Sequence, residues 1–182
     1  RDMQKGNGRE KDLELYIHIP FCVRKCAYCD FLSAPAEEAV RAQYVEALKG
    51  EIYQQRFFGE ERKVTSIFMG GGTPSILEGV QIAELLKTVH DCFRIEEDAE
   101  ITVECNPGTL TRDKLSCYRQ QGVNRLSMGL QSADNRELGL LGRIHTYEEF
   151  LESFALARKM GFENLNVDLM SALPGQTAAG WR

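Results

Sequence analysis

The sequence IHIPFCVRKCAYCDF, residues 17–31, places three cysteines in one short loop directly after a strand-like run. Cys22, Cys26 and Cys29 follow the spacing Cys-x3-Cys-x2-Cys. A structural zinc site requires four ligands, usually from two cysteine or histidine pairs, and no second pair follows in this chain. Three thiolates can instead hold three irons of a [4Fe-4S] cluster and leave the fourth iron open. The spacing favours such a cluster over a zinc site or a chance grouping of thiols.

The composition predicts one globular domain and gives no reason to expect nucleic acid or an anionic membrane as the main partner. The chain has 182 residues, 43% of them hydrophobic, which is enough to bury a core. Its formal net charge of -5 gives no electrostatic reason to expect nucleic acid as a partner. No apolar run approaches the roughly 20 residues that span a bilayer, so we expect no transmembrane segment. Residues 1–12 form a polar N-terminal tail without the apolar segment of a signal peptide.

These features predict a cytoplasmic protein. In a reducing cytosol, clustered cysteines more often bind metal than form disulfides. The other three cysteines, Cys92, Cys105 and Cys117, are scattered, and we expect them to be packed, inert thiols.

Strand-like and helix-like segments alternate along the chain. Strands are predicted over residues 13–19, 64–69, 101–104, 125–129 and 165–169. Helices are predicted over residues 36–57, 79–93 and 111–121, and from Thr146, where TYEE matches a capping box, to the residue before Gly161. Repeated strand–helix units predict an α/β fold with a parallel sheet and right-handed crossovers.

The predicted strands alternate apolar with polar residues, unlike the nearly continuous apolar runs usual in buried parallel strands. In the last strand, Asp168 lies between Val167 and Leu169. If the apolar face packs on helices, the polar face lines the interior of a barrel or half-barrel. Glu104, Gln131 and Asp168 would then lie at the carboxyl ends of their strands, where barrel active sites are built. The alternative is a half-exposed antiparallel sheet, which the repeated helices disfavour.

Six motifs extend from Tyr16 to Thr177, and they are YIHIPFCVRKCAYCDF, IFMGGGTPS, ITVECNPGT, NRLSMGLQS, LGRIHT and NVDLMSALPGQT. In order and spacing they resemble the oxygen-independent coproporphyrinogen III oxidase family of radical S-adenosylmethionine (SAM) proteins, and within it the radical SAM haem chaperones of the HemW type. The resemblance implies that residues 13–182 are a radical SAM core domain with a (β/α)6 barrel. Members of this family continue through a sixth strand and a carboxyl-terminal domain. We therefore expect a partial barrel of about five strand–helix units, truncated at its C-terminal end.

The resemblance also implies the cofactors and their sites. Cys22, Cys26 and Cys29 would ligate a [4Fe-4S] cluster, SAM would bind the open iron, and the full-length protein would bind haem. The cofactor-binding positions implied by the resemblance are Tyr16, Tyr28, Gly71, Gly72, Thr73, Glu104, Gln131, Arg143 and Asp168.

Several of these positions have an implied role. Tyr28 would lie against the adenine and Tyr16 would face SAM, while the glycine motif would let the backbone approach the methionine amino end. Arg143 would pair with the methionine carboxylate. The alternative for Arg143 is a solvated residue that ends a short helix, and the alternative for Glu104 and Asp168 is a buried ion pair.

The resemblance implies a haem chaperone that binds haem and transfers it to an acceptor protein. Phe31 stands where the oxidases of the family have a further cysteine, which favours the chaperone branch. The alternatives are a coproporphyrinogen III oxidase that makes protoporphyrinogen IX, and an anaerobic haem-modifying radical SAM enzyme. The implied partners are haem or porphyrin, a haem-accepting protein, and an electron donor such as flavodoxin or ferredoxin.

Overall fold

Five parallel strands lie side by side in the order in which they occur along the chain. The structure is a computed structural model and describes residues 12–60 and 62–181. Its strands are β1 Leu13–Ile19, β2 Val64–Gly71, β3 Ile95–Cys105, β4 Arg125–Gln131 and β5 Asn164–Leu169. The predicted parallel sheet is confirmed. Apart from Asp12, the predicted polar tail lies outside the described residues.

Helices connect successive strands and cover one face of the sheet. They are α1 Glu38–Gln54, α2 Gly79–Cys92, α3 Arg112–Gln120, α4 Asn135–Leu140 and α5 Tyr147–Lys159, and a further short helix, α6 Ala178–Trp181, follows β5. The four predicted helices are confirmed, and α4 and α6 are additional. The predicted capping box is present at α5, where Thr146 Oγ1 accepts the Glu149 N–H at 3.3 Å and Glu149 Oε2 accepts the Thr146 N–H at 2.7 Å.

The first part of β3 was missed by the sequence pattern, which predicted a strand only from residue 101. Val64 of β2 already pairs with Ile95, and the pairing then jumps to Ser66 with Glu100. The acidic residues between these pairs form an irregularity in the ladder. These polar residues do not show the pattern of a strand in the sequence. The strand is recognised only from its pairing with β2.

The two faces of the sheet differ as predicted. Ile17, Met69, Val103 and Met128 are all buried in the core between the sheet and the helices. On the opposite face, the polar residues include Thr102 and Ser127, both nearly inaccessible to solvent, and Glu104, which is half-buried. The polar face is therefore the inner face of a partial barrel, in which β1 and β5 are the outer strands of the described sheet.

All five carboxyl ends lie at the same edge of the sheet, because the strands are parallel. The loop after each strand therefore opens onto one region, where the site described below is built. Within residues 12–60 and 62–181, no helix is both long and apolar enough to cross a membrane.

Candidate functional site

The cysteine loop follows β1; a backbone hydrogen bond joins its two ends, and two further hydrogen bonds hold its middle. The Cys22 N–H donates to the Ala34 carbonyl at 3.2 Å, which ties the start of the loop to its end. The Ala27 N–H donates to the Leu141 carbonyl at 3.0 Å, and Arg24 Nη2 donates to the Gly142 carbonyl at 2.7 Å. The loop from the first strand is thereby fixed to the segment that follows α4.

A cleft of about 390 Å³ opens between this loop and the carboxyl ends of the strands. All three cysteines of the loop line it. The other predicted site residues line it as well, with the exception of Tyr16. Residues from four strands and from the loops after β1, β2 and α4, which are far apart in the sequence, therefore share one cavity.

The three thiols line the cleft from separate positions. Among the described residues, no three His, Cys, Asp or Glu side chains are grouped closely enough to hold a single metal ion. This spread is compatible with a cubane cluster, since each thiolate there ligates a different iron, whereas a zinc ion requires its ligand atoms to converge at about 2.0–2.3 Å.

Two of the thiols receive hydrogen bonds from the cleft wall. The Thr73 hydroxyl donates to Cys22 Sγ at 3.4 Å, and Arg143 Nη1 donates to Cys26 Sγ at 3.7 Å. Donors directed at sulfur stabilise the thiolate form that ligates iron. The chemistry of these residues therefore fits an iron–sulfur cluster.

Arg143 is not the solvated residue of the alternative interpretation. Its Nη2 donates to the Gly129 carbonyl at 2.6 Å and to Asn106 Oδ1 at 2.9 Å. Its Nε is buried and has no hydrogen-bond partner among the described residues. A buried guanidinium N–H without an acceptor is costly, so this group suits an anionic ligand in the cleft.

The triglycine at the end of β2 is required by close packing. A Cβ atom at Gly70 would lie 2.8 Å from a carboxylate oxygen of Glu104, and one at Gly71 would collide with the His18 ring. Gly71 also has φ of 110°, a conformation that favours glycine. A Cβ at Gly72 would lie 2.6 Å from the Phe21 carbonyl oxygen. These glycines therefore let β2 end directly against the cysteine loop and against Glu104.

The two carboxylates of the inner face are solvated or hydrogen-bonded, and neither forms an ion pair with a described residue. Glu104 accepts the Gly71 N–H at 3.1 Å. Burial raises the pKa of Glu104, the Gly71 N–H partly offsets this, and the nearby charge of Asp168 raises the pKa further. Asp168 accepts hydrogen bonds from Asn166 Nδ2 at 2.7 Å and from Ser127 Oγ at 3.3 Å. The ion-pair alternative for both residues is therefore wrong within the described part of the chain.

Gln131 adopts a strained backbone at the end of β4. Its φ of 72° is left-handed, which costs about 1–3 kcal/mol for a residue other than glycine. The ladder with β5 shifts register at this position, and the Met170 N–H donates to the Gln131 carbonyl at 2.9 Å. The side chain lies beside Gly129, where a Cβ would approach Gln131 Nε2 within 2.9 Å. Strain of this kind is typical of functional positions.

The two predicted tyrosines differ in their placement. Tyr28 lines the cleft near Cys26 and Arg143, and burial is the main cause of its raised pKa. Tyr16 is 60% exposed, and its hydroxyl lies 3.0 Å from His18 Nδ1 while its ring stacks on Phe68. Tyr16 thus contacts His18 and Phe68 and does not line the cleft.

Asn106 is a cleft residue that the sequence interpretation missed. It follows β3 directly, two residues after Glu104, and lines the cleft. Its Nδ2 donates to Thr73 Oγ1 at 3.0 Å. A sequence signal was present, because a polar side chain just beyond a strand end belongs to the same edge as the other site residues.

Of the remaining cysteines, Cys105 lines the cleft, whereas Cys92 and Cys117 do not. Cys105 is buried in the core, and Cys117 packs beside Gly79. Cys92, at the end of α2, is partly buried, which raises its thiol pKa.

Residues 16–181 match the family model of the Radical SAM superfamily. The chain therefore belongs to that superfamily, and membership implies a [4Fe-4S] cluster and SAM as cofactors. The heme chaperone HemW of Escherichia coli is 44% identical over 166 residues, which cover 91% of this chain and 44% of that protein. HemW of Bacillus subtilis is 39% identical over 163 residues, 89% of this chain and 43% of that protein.

A solved structure of coproporphyrinogen III oxidase (HemN) from Escherichia coli, described as a radical SAM enzyme, has the same fold. It superposes with a TM-score of 0.86 and 36% identity, covering 94% of this chain and 40% of that one. The chain thus spans less than half of the length of each of these relatives.

Proposed function

We propose that this chain is the radical SAM domain of a haem chaperone, which binds haem and transfers it to an acceptor protein. The similarity to HemW proteins from two bacteria supports this proposal. One structural observation carries it: Phe31, the residue in place of the further cysteine of the oxidases, lies at the cleft and is 68% exposed. An exposed phenylalanine beside the site offers apolar contact to a flat ligand but no thiol chemistry.

In this proposal, Cys22, Cys26 and Cys29 ligate the [4Fe-4S] cluster. When bound, the cluster and SAM supply one-electron chemistry that the side chains themselves lack. The chain's own residues bind and orient SAM. The Arg143 guanidinium, which lines the cleft, would pair with the methionine carboxylate, and Glu104 would accept a hydrogen bond from a ribose hydroxyl or the amino group.

The other cleft residues complete the proposed SAM site. Tyr28 would pack against the adenine, and the peptide groups of Gly71, Gly72 and Thr73 would contact the methionine amino end. Gln131 and Asp168 would contact SAM from the ends of β4 and β5. Tyr16 would contribute indirectly through His18, since it does not line the cleft.

The second candidate function is oxidation of coproporphyrinogen III to protoporphyrinogen IX. The structural similarity to HemN favours it. The two functions differ in turnover, because the oxidase must consume porphyrinogen and SAM together, whereas the chaperone must hold haem stably and release it to an acceptor. The proposed partners are haem, an unidentified haem-accepting protein, and an electron donor such as flavodoxin or ferredoxin, in the cytoplasm.

The deciding experiment uses the full-length protein, anaerobically reconstituted with iron and sulfide and then reduced. It is incubated with SAM and coproporphyrinogen III, and decarboxylated porphyrinogen and 5′-deoxyadenosine are quantified. The chaperone proposal predicts an intact cluster, stable haem binding and transfer, and no decarboxylated product. Matching amounts of product and 5′-deoxyadenosine would identify an oxidase despite Phe31.

The ligand assignment is tested separately. The Cys22→Ala, Cys26→Ala, Cys29→Ala triple variant should incorporate no cluster iron or sulfide. Cys92→Ala, which changes a cysteine outside the cleft, is the matched control and should incorporate both normally. A complete cluster in the triple variant would disprove the assignment.

A further inference from the structure

A continuous path of hydrogen bonds joins two of the proposed cluster ligands through Asn106. Thr73 Oγ1 lies 3.4 Å from Cys22 Sγ, and Asn106 Nδ2 lies 3.0 Å from Thr73 Oγ1. On its other side, Asn106 Oδ1 lies 2.9 Å from Arg143 Nη2, while Arg143 Nη1 lies 3.7 Å from Cys26 Sγ. The path crosses the cleft wall from one sulfur to the other.

The chemistry of these groups fixes the direction of every hydrogen bond. A guanidinium only donates, so the amide oxygen of Asn106 must face Arg143. The amide nitrogen of Asn106 therefore faces Thr73 and donates to its hydroxyl oxygen. The single hydroxyl hydrogen of Thr73 is then left for the sulfur of Cys22. Arg143 thus orients Asn106, and Asn106 orients the donor at Cys22.

The backbone of Asn106 is held in place independently of the cysteines. Its N–H donates to Ser75 Oγ at 3.1 Å, and its carbonyl accepts the Thr109 hydroxyl at 2.7 Å. Ser75 Oγ and Thr109 Oγ1 lie 2.6 Å apart. The Thr109 hydroxyl donates its only hydrogen to the Asn106 carbonyl, so the Ser75 hydroxyl must donate to Thr109 Oγ1. This closes a ring of three hydrogen bonds. The backbone N–H and the backbone carbonyl of Asn106 therefore both have hydrogen-bond partners, independently of its side chain.

We propose that Asn106 is a positioning residue that keeps a hydrogen-bond donor directed at the sulfur of Cys22 and thereby raises the reduction potential of the cluster. This inference rests on the proposed cluster ligands. Reduction adds negative charge to the cluster and its sulfurs, and donors to sulfur stabilise that charge. No contact of Asn106 itself with the cluster is required.

The variant Asn106→Asp keeps the shape of the side chain but should reverse the direction of its hydrogen bond with Thr73. A carboxylate only accepts, so Thr73 must donate its hydrogen to Asp and can no longer donate to Cys22. Thr73→Val removes the same donor without any change in charge. Thr73→Ser retains the hydroxyl. Asn164→Asp adds the same charge at the amino end of the sheet, opposite the cleft, so Thr73→Val is the variant that separates loss of the donor from a new charge beside the cluster.

The measurement is the reduction potential of the cluster in reconstituted full-length protein, followed by electron paramagnetic resonance during an anaerobic redox titration. SAM is left out, so that a change in SAM binding cannot contribute. At the wild-type midpoint potential, Asn106→Asp and Thr73→Val should show a ratio of reduced to oxidised cluster about fivefold to tenfold lower, the effect of losing about one hydrogen bond. A tenfold change corresponds to about 59 mV for a one-electron couple. Thr73→Ser and Asn164→Asp should titrate as wild type.

Wild-type potentials in Thr73→Val and Asn106→Asp, at full iron and sulfide content, would overturn the inference. If Asn106→Asp incorporates no cluster, Thr73→Val decides the question: a lowered potential supports the proposed path, and an unchanged one contradicts it. A wild-type protein that incorporates no cluster would instead disprove the ligand assignment, so the two failures are distinguishable.

Discussion

The end of β2 lies so close to the cysteine loop that we expect Gly72→Ala to be strongly destabilising. A Cβ atom at Gly72 would lie 2.6 Å from the Phe21 carbonyl oxygen, 2.8 Å from the Phe21 nitrogen and 2.9 Å from the Ile19 carbonyl oxygen. All three are backbone atoms, so no side-chain rotation relieves the contact. The strand end and the loop must move apart.

The magnitude follows from what this movement disrupts. The Gly72 N–H donates to the Ile19 carbonyl at 2.8 Å, and the Thr73 N–H donates to the Phe21 carbonyl at 2.7 Å. Each hydrogen bond contributes about 1 kcal/mol net. Forcing a methyl group into a packed site costs about 1–3 kcal/mol, partly as the same displacement. We therefore expect the free energy of unfolding to fall by about 2–4 kcal/mol.

The assay is equilibrium urea denaturation of the full-length apoprotein under anaerobic conditions, followed by far-ultraviolet circular dichroism. Gly50→Ala is the matched control, because Gly50 lies inside α1 and no atom other than the backbone of α1 and its chain neighbours lies within 4 Å of its Cβ position. There the same substitution should stabilise by about 0.5–1 kcal/mol, since alanine favours the helix. The reasoning is refuted if Gly72→Ala unfolds at the wild-type urea concentration.

Three further predictions concern other parts of the fold. Thr146→Ala removes the N-cap acceptor of α5 and should lower the free energy of unfolding by about 1 kcal/mol in urea denaturation, whereas Thr146→Ser should not; equal losses in the two variants would contradict the cap. Burial lowers the pKa of His145 to about 4, so the unfolded chain binds a proton that the folded chain does not. Thermal stability should therefore fall as the pH drops from about 6.5 to about 4. His145→Leu should make stability depend less on pH in this range; an unchanged pH dependence would mean that His145 does not cause it. The raised pKa of Glu104 has the opposite sign: stability should fall as the pH rises from the unfolded value, about 4.3, through the folded pKa. Glu104→Gln, whose amide oxygen can still accept the Gly71 N–H, should gain stability relative to wild type across that rise, and a difference independent of pH would exclude this explanation.

Most of the fold was predictable because its signals are local. Alternation of polar and apolar residues reflects the two faces of a strand directly, and the inner face around Glu104 and Ser127 follows it. The start of β3 at Ile95 was missed, because its acidic residues join the sheet only through pairing with Val64. The local polarity of these residues is typical of a loop, but pairing with β2 makes them part of a strand.

By itself, the sequence determined the order of strands and helices, the three-cysteine loop and the polar residues at the strand ends, since each is encoded in neighbouring residues. Only the tertiary structure decided that Tyr16 does not line the cleft, and that Asn106 joins Thr73 and Arg143, which are 33 and 37 residues away. The direction of those hydrogen bonds depends on which donors and acceptors lie next to each other at the cleft. The packing of the loops onto the parallel sheet brings these groups together, and no local sequence pattern predicts it.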